Sequence, residues 1–178
     1  MAEHATETTT YDRPVLAFPV IPNVSVPGSP DPYLIPLILT LYSPPTRKTK
    51  INPITSLPLT FEWGTVVGGN AISISSAELP KINLEGTIDS PTVASTDAGG
   101  RPVQIPAIVA SGQNITWAEF IAICIEGRAY AGTWLRVEPL YFRDPYGRIF
   151  PSPRILDFSA AYVESVPGRT SFTMVLKV

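Results

Sequence analysis

Histidine is nearly missing from this chain, and so is cysteine: one of each occurs in 178 residues, His4 and Cys124. A Ser/His/Asp triad and the histidine-rich metal sites therefore have no base or ligand to use, since His4 stands in a polar tail expected to fray. A lone cysteine forms no internal disulfide, and the flanking Ile123 and Ile125 make Cys124 a buried, inert thiol. Charge is scarce as well, at 16% of residues with a net value of −2. Neutralising phosphates needs a basic excess, so no specific nucleic-acid binding is expected. The longest apolar stretch, Tyr33 to Tyr42, contains Pro36 and falls well short of the roughly 20 residues of a spanning helix. No membrane partner is expected. Met1 to Thr10 is polar and acidic where a secretory signal is basic and then apolar, so the expected place of assembly is a cytoplasm.

What the chain has is apolar surface and proline. With 44% hydrophobic residues and few charges, much of its surface is suited to being covered by a partner rather than by water. Eleven of the twenty prolines lie in the first 60 residues, at Pro14, Pro19, Pro22, Pro27, Pro30, Pro32, Pro36 and beyond. No helix persists at that spacing, and the intervening Val15, Leu16, Phe18, Leu34, Ile35 and Leu37 are too apolar for a solvated linker. Residues 1–56 thus read as an extended Pro-rich N-terminal arm, lying either on its own domain or on a neighbouring copy. Arg47, Lys48 and Lys50 read as a solvated basic loop.

Residues 57–178 read as a β-sandwich domain. Leu57, Leu59, Phe61 and Trp63 alternate with Pro58, Thr60 and Glu62 at the period of a half-buried strand; Gly68-Gly69-Asn70 is a turn; Ala71 to Ser75 and Ile82 to Ile88 are further strands. Thr92 to Arg101, with Asp97, Gly99 and Gly100, reads as a mobile loop. Thr116 with Glu119 makes a capping box, and Ile115 can staple on Phe120, so a helix starts at Trp117 and runs near 117–130. Trp117, Phe120, Ile121, Cys124 and Ile125 give it one packing face. Thr133 to Val137 reads as a return to strand. Two hairpins follow, turning at Asp144-Pro145-Tyr146-Gly147 and at Pro167-Gly168. The fold class is mainly β: an antiparallel β-sandwich or sheet with one packed α-helix and the extended arm.

No catalytic, cofactor-binding or metal-ligating residue emerges from the pattern. Two acid pairs, Asp144 with Asp157 and Glu62 with Glu85, are candidates for a carboxylate hydrolase, but all four read as turn or surface acids without a supporting motif. Gly68-Gly69 and Gly99-Gly100 lack the lysine and the strand-to-helix setting of a phosphate loop. Aromatic side chains offer a ligand platform instead: Trp63, Trp117 and Trp134 are the candidates, of which Trp117 and Trp134 suit a core, and a glycan-binding module would need Trp63, Tyr141, Tyr146 or Phe150 exposed.

The order of capped helix (Thr116 to Tyr130), strand, aromatic hairpin (Leu140 to Phe150) and closing strands (Arg154 to Val178) resembles the small tail-tube-fold proteins of tailed phages and contractile injection systems. These include distal-tail, tube-initiator and baseplate proteins. Leu59 to Trp63 and Ile82 to Ile88 match the first sheet of that family, and the likeness covers residues 57–178. It implies a sandwich whose sheets join those of neighbours in a ring, partners among other copies of the chain and adjoining tail or baseplate proteins, a place in the virion tail after assembly in the host cytoplasm, and neither catalysis nor cofactor. A capsid decoration or cement protein and a glycan-binding module at a virion tip are the alternative readings. If the arm crosses onto a neighbour by strand addition, deleting residues 1–42 leaves a folded but assembly-defective domain.

Overall fold

A computed structural model of the chain describes residues 13–45, 80–127 and 136–178. Among the described residues it is mainly antiparallel β with one helix, as the sequence predicts. In chain order the described elements begin with β1 (Val15–Phe18), β2 (Val24–Ser25), β3 (Tyr33–Pro36) and β4 (Ile38–Ser43). After them come β5 (Lys81–Asp89), β6 (Thr92–Thr96), β7 (Pro102–Pro106), β8 (Ile108–Ala110) and β9 (Gln113–Ile115). The helix α1 (Trp117–Glu126) precedes β10 (Tyr141–Arg143), β11 (Ile149–Pro151), β12 (Arg154–Tyr162) and β13 (Arg169–Lys177). Two four-stranded sheets carry most of the fold, one ordered β11-β10-β1-β3 and the other β12-β13-β5-β4.

Alternation in the second sheet explains the core. Ile82, Leu84 and Ile88 of β5 and Phe172, Met174 and Leu176 of β13 point inward, and the residues between them face out. From the first sheet Leu16, Phe18, Ile35 and Phe142 join the same buried cluster. The helix completes it. Phe120 meets the Phe18 ring edge-on at 5.5 Å and Tyr33 at 5.7 Å, and α1 also touches β5 and β12. Its start is as expected: Thr116 accepts from the Glu119 amide at 3.3 Å while the Glu119 carboxylate accepts from the Thr116 amide at 2.6 Å. The Trp117 amide also donates to buried Ser90 at 2.7 Å. The helix ends sooner than predicted, because Gly127 caps it in the left-handed region at φ 67.

The N-terminal segment lies on its own chain, and it lies inside rather than outside. β1 sits between β3 and β10, with Leu16, Ala17 and Phe18 fully buried. Tyr33 to Tyr42 is extended as predicted, but it serves two sheets: β3 belongs to the first, β4 to the second, and the chain crosses at Leu37, whose amide donates to the Pro14 carbonyl at 2.8 Å. The described part of the arm is therefore a wall of the domain.

Thr92 to Arg101 is corrected too. β6 and β7 form a paired ribbon, and only Asp97 to Gly100 turns, tied by the Asp97 carboxylate accepting from the Gly99 and Arg101 amides at 2.9 Å each. Strand-forming Thr92, Val93 and Thr96 outweigh the turn residues once β7 supplies a ladder. Of the predicted strand Thr133 to Val137, Arg136 and Val137 lie in no strand, and the Val137 amide instead donates to the Cys124 carbonyl at 2.9 Å. Both C-terminal hairpins form where the turns predict them. The strands at Leu57 to Trp63 and Ala71 to Ser75, the turn at Gly68, the basic loop at Arg47, and residues 128–135 lie outside the described residues.

Gly86 is required by a close approach. A Cβ there would stand 2.0 Å from the Ile38 carbonyl oxygen, at the point where β4 bulges and Thr40 is passed over in the register. Gly86→Ala is expected to lower stability by about 1–3 kcal/mol in urea unfolding, because backbone rather than a flexible side chain must move. Deleting residues 1–42 removes β1 to β3 and most of β4. Contrary to the expectation from the sequence, the truncated chain should show no cooperative transition in calorimetry.

Candidate functional site

Asp144 opens the turn between β10 and β11, and its carboxylate is fully buried. Proline at the next position and Gly147 at φ 80 shape the reversal, in which the Gly147 amide donates to the Asp144 carbonyl at 3.0 Å. The carboxylate accepts from the Tyr146 amide at 2.9 Å, the Arg148 amide at 2.8 Å and Arg148 Nε at 2.7 Å. The fourth donor is remote. Tyr42, 102 residues earlier on β4, gives its hydroxyl proton to Asp144 at 2.7 Å, and Arg148 Nη2 donates to the same hydroxyl oxygen at 3.1 Å. The turn of the first sheet is thus bonded to the outer strand of the second.

Electrostatics follow from this geometry. Burial pushes the Asp144 carboxyl up, but the bonds from Tyr42, Arg148 and the Tyr146 amide outweigh it and hold the group below its ordinary value. The Tyr42 phenol is pushed up to about 12 by burial and by the adjacent carboxylate. With four donors on its oxygens, Asp144 is an anionic strut, and it has no spare capacity to act as a general acid or base. Asp157 is exposed on β12, and Glu85 faces outward on β5 beside Thr40, whose hydroxyl donates to the Glu85 carbonyl at 3.3 Å. Glu62 and His4 lie outside the described residues, as do Trp63 and Trp134. Among the described residues no group of three His, Cys, Asp or Glu side chains is placed to hold a metal.

The aromatics divide as their surroundings dictate. Trp117 is buried, packed edge-on to Phe120 at 5.3 Å. Tyr141 and Phe150 are half-buried, and Phe150 stacks on Phe142 at 6.1 Å. Tyr146 is 71% exposed, with its ring 6.1 Å from that of Tyr42, and the Arg148 guanidinium lies 5.5 Å from the Tyr146 ring and 5.9 Å from the Phe150 ring. A cation fixed by a buried carboxylate and flanked by two rings is a rigid surface feature. Pairing Asp144 with a turn was readable from Asp-Pro-x-Gly. Nothing local announced Tyr42.

Exposed apolar side chains are spread over the described surface, at Val20, Val93, Val103, Leu140 and Val166 among others, and four of them stand on β4 and β12 of the second sheet: Ile38, Leu41, Leu156 and Tyr162. Between these edges the outward face carries an open depression of about 380 Å³, lined by Thr40, Glu85, Ser159, Ser171 and Thr173 among others. Small hydroxyl side chains and the Glu85 carboxylate make up most of its polar lining. Burial, seconded by Glu138, pushes the Cys124 thiol up to about 12, so it stays protonated.

No protein-family model matches the chain, no curated protein matches it, and no solved structure matches it.

Asp144→Asn is expected to cost about 1–3 kcal/mol at pH 7, because charge-assisted bonds in a buried site become neutral ones. The native carboxyl sits below its ordinary value of 3.8, so its contribution is complete above that pH and fades as pH falls through and below it. Urea unfolding of parent and variant should therefore differ by a constant amount from pH 7 down to about 5 and converge in stronger acid.

Proposed function

We propose that this chain is a non-enzymatic structural virion protein of a phage tail or baseplate, forming a ring through contacts between the sheets of neighbouring copies and joining the tail tube to adjoining components. The observation that carries the reading is where the exposed apolar side chains lie. Ile38, Leu41, Leu156 and Tyr162 line the two outer strands of one sheet, and Tyr146 and Ile149 flank the clamped turn beside it. A chain with few charges and exposed apolar residues on two strand edges, among others, offers surface suited to being covered by another. The resemblance of residues 57–178 in sequence to the tail-tube family suggests the setting. Head-to-tail contacts close into a ring where the rotation between copies completes a full turn.

A second reading rests on Tyr146, whose exposed ring beside the fixed Arg148 guanidinium offers a sugar both a stacking face and a donor. It makes the chain a glycan-binding module at a virion tip.

Immunogold labelling of particles, with antibody against the recombinant chain, tests the first reading. Label confined to one end of a tail is the expected result; label spread over the head moves the protein to a capsid cement role, and particles without label overturn a virion role altogether. A glycan array then tests the second reading, in which Tyr146→Ala abolishes saturable binding.

A further inference from the structure

The two halves of β12 are treated differently by the rest of the chain. Its first half is closed to further pairing: the Ile155 amide donates to the Glu138 carboxylate at 3.1 Å, the Ile155 carbonyl accepts from Arg136, and Arg154 stands 3.6 Å from that carboxylate. The register also slips there, at Leu156. Clamps and bulges of this kind keep a strand edge from recruiting another strand. From Asp157 to Tyr162 the ladder with β13 runs without a slip, and among the described residues no strand lies on the other side. Phe158 to Tyr162 contains no charge, proline or bulge.

Side chains on the open half, from Phe158 to Tyr162, are small or aromatic. Phe158, Ala160 and Tyr162 stand opposite Met174, Phe172 and Thr170 of β13 and so belong to the inward row, and the Phe158 ring stacks on Phe172 at 6.5 Å. Tyr162 is nevertheless 61% exposed while its hydroxyl is held by Glu119 at 2.5 Å. An exposed ring already held in one place loses little entropy on being covered.

We propose that the second half of β12 pairs antiparallel with β12 of a second copy, about a two-fold axis at Ala160, so that the second sheet continues from one protomer into the other. In this register Phe158 lies opposite the other copy's Tyr162, Ser159 opposite Ala161, and Ala160 opposite itself. Residues directly opposite share a face, so two aromatic pairs flank a small centre and the inward row runs across the junction. Asp157 lies opposite Val163, and no like charges meet. β4 is a poorer partner for this edge, because its ladder breaks at Thr40 and its Tyr42 is occupied beneath the Asp144 turn. The pairing does not rest on the tail reading, and it takes the β12 edge for itself: a head-to-tail contact never sets residue 160 against residue 160, so a ring of such paired copies closes through other surfaces.

Full-length Ala160→Cys under a mild thiol oxidant tests the pairing, since opposite residues lie about 4.5–5.5 Å apart at Cα, within disulfide reach. Val93→Cys, exposed on β6, measures random collision, and Leu41→Cys marks the β4 edge. The expected result is a covalent Ala160→Cys dimer forming at least about tenfold faster than that of Val93→Cys, as for thiols held at high effective concentration. Equal rates overturn the proposal. Cross-linking only between Ala160→Cys and Leu41→Cys in a mixture overturns it in favour of a heterologous edge. An Ala160→Cys thiol that resists a soluble thiol reagent even at dilutions where sedimentation shows a monomer overturns it, by showing that the chain's own residues cover the edge.

Discussion

One passage of backbone holds the two sheets in relation to each other. From Tyr33 to Ser43 the chain pairs with β1, crosses at Leu37, and pairs with β5, so the first sheet cannot move relative to the second without breaking a continuous extended segment. The crossing is fixed by the Leu37 amide on the Pro14 carbonyl and by full burial of the Leu37 side chain. Fixing the corner by backbone sets where Tyr42 falls, and the Asp144 clamp is the second tie across the same gap. Proline suits this role because a segment shared by two sheets must stay extended while giving up few ladder bonds. Pro36 and Pro14 stand at strand ends, where the loss of a donor is tolerated.

The outer strands show how an edge can be partly closed. β4 and β12 both carry a bulge, at Thr40 and near Leu156, and bulges interrupt pairing on the open side while sharpening local twist. At β4 the bulge comes with Gly86, since the carbonyl of Ile38 occupies the space of a side chain. At the far end of the sheet Arg169 and Asp89 face each other across β13 and β5 with two bonds of 2.6 and 2.7 Å. That pair is largely exposed and fixes register more than it adds stability.

Much of this was legible locally and little of it at long range. The capping box, both C-terminal turns and the alternation in Ile82 to Ile88 depend on neighbours a few residues away, so sequence shows them directly. Composition showed that the first segment is extended and apolar, yet could not say which surface receives it, because β1 is chosen by β10 at the other end of the chain. Thr92 to Arg101 misled for a related reason: Asp97, Gly99 and Gly100 describe four residues of turn truthfully, and the ladder on either side depends on Pro102 to Pro106. Asp144 was legible as a turn residue, while its burial and its bond to Tyr42 are products of tertiary packing.

The pairing of β1 with β10 also governs when the chain can finish folding. Val15 meets Arg143, so the first strand made waits for one of the last. Until Tyr141 to Arg143 has left the ribosome, Leu16 and Phe18 lack one of their two neighbouring strands, and closing so long a loop is slow compared with forming the helix or the terminal hairpins. During synthesis β1 therefore stays apolar and open along one edge until β10 is made.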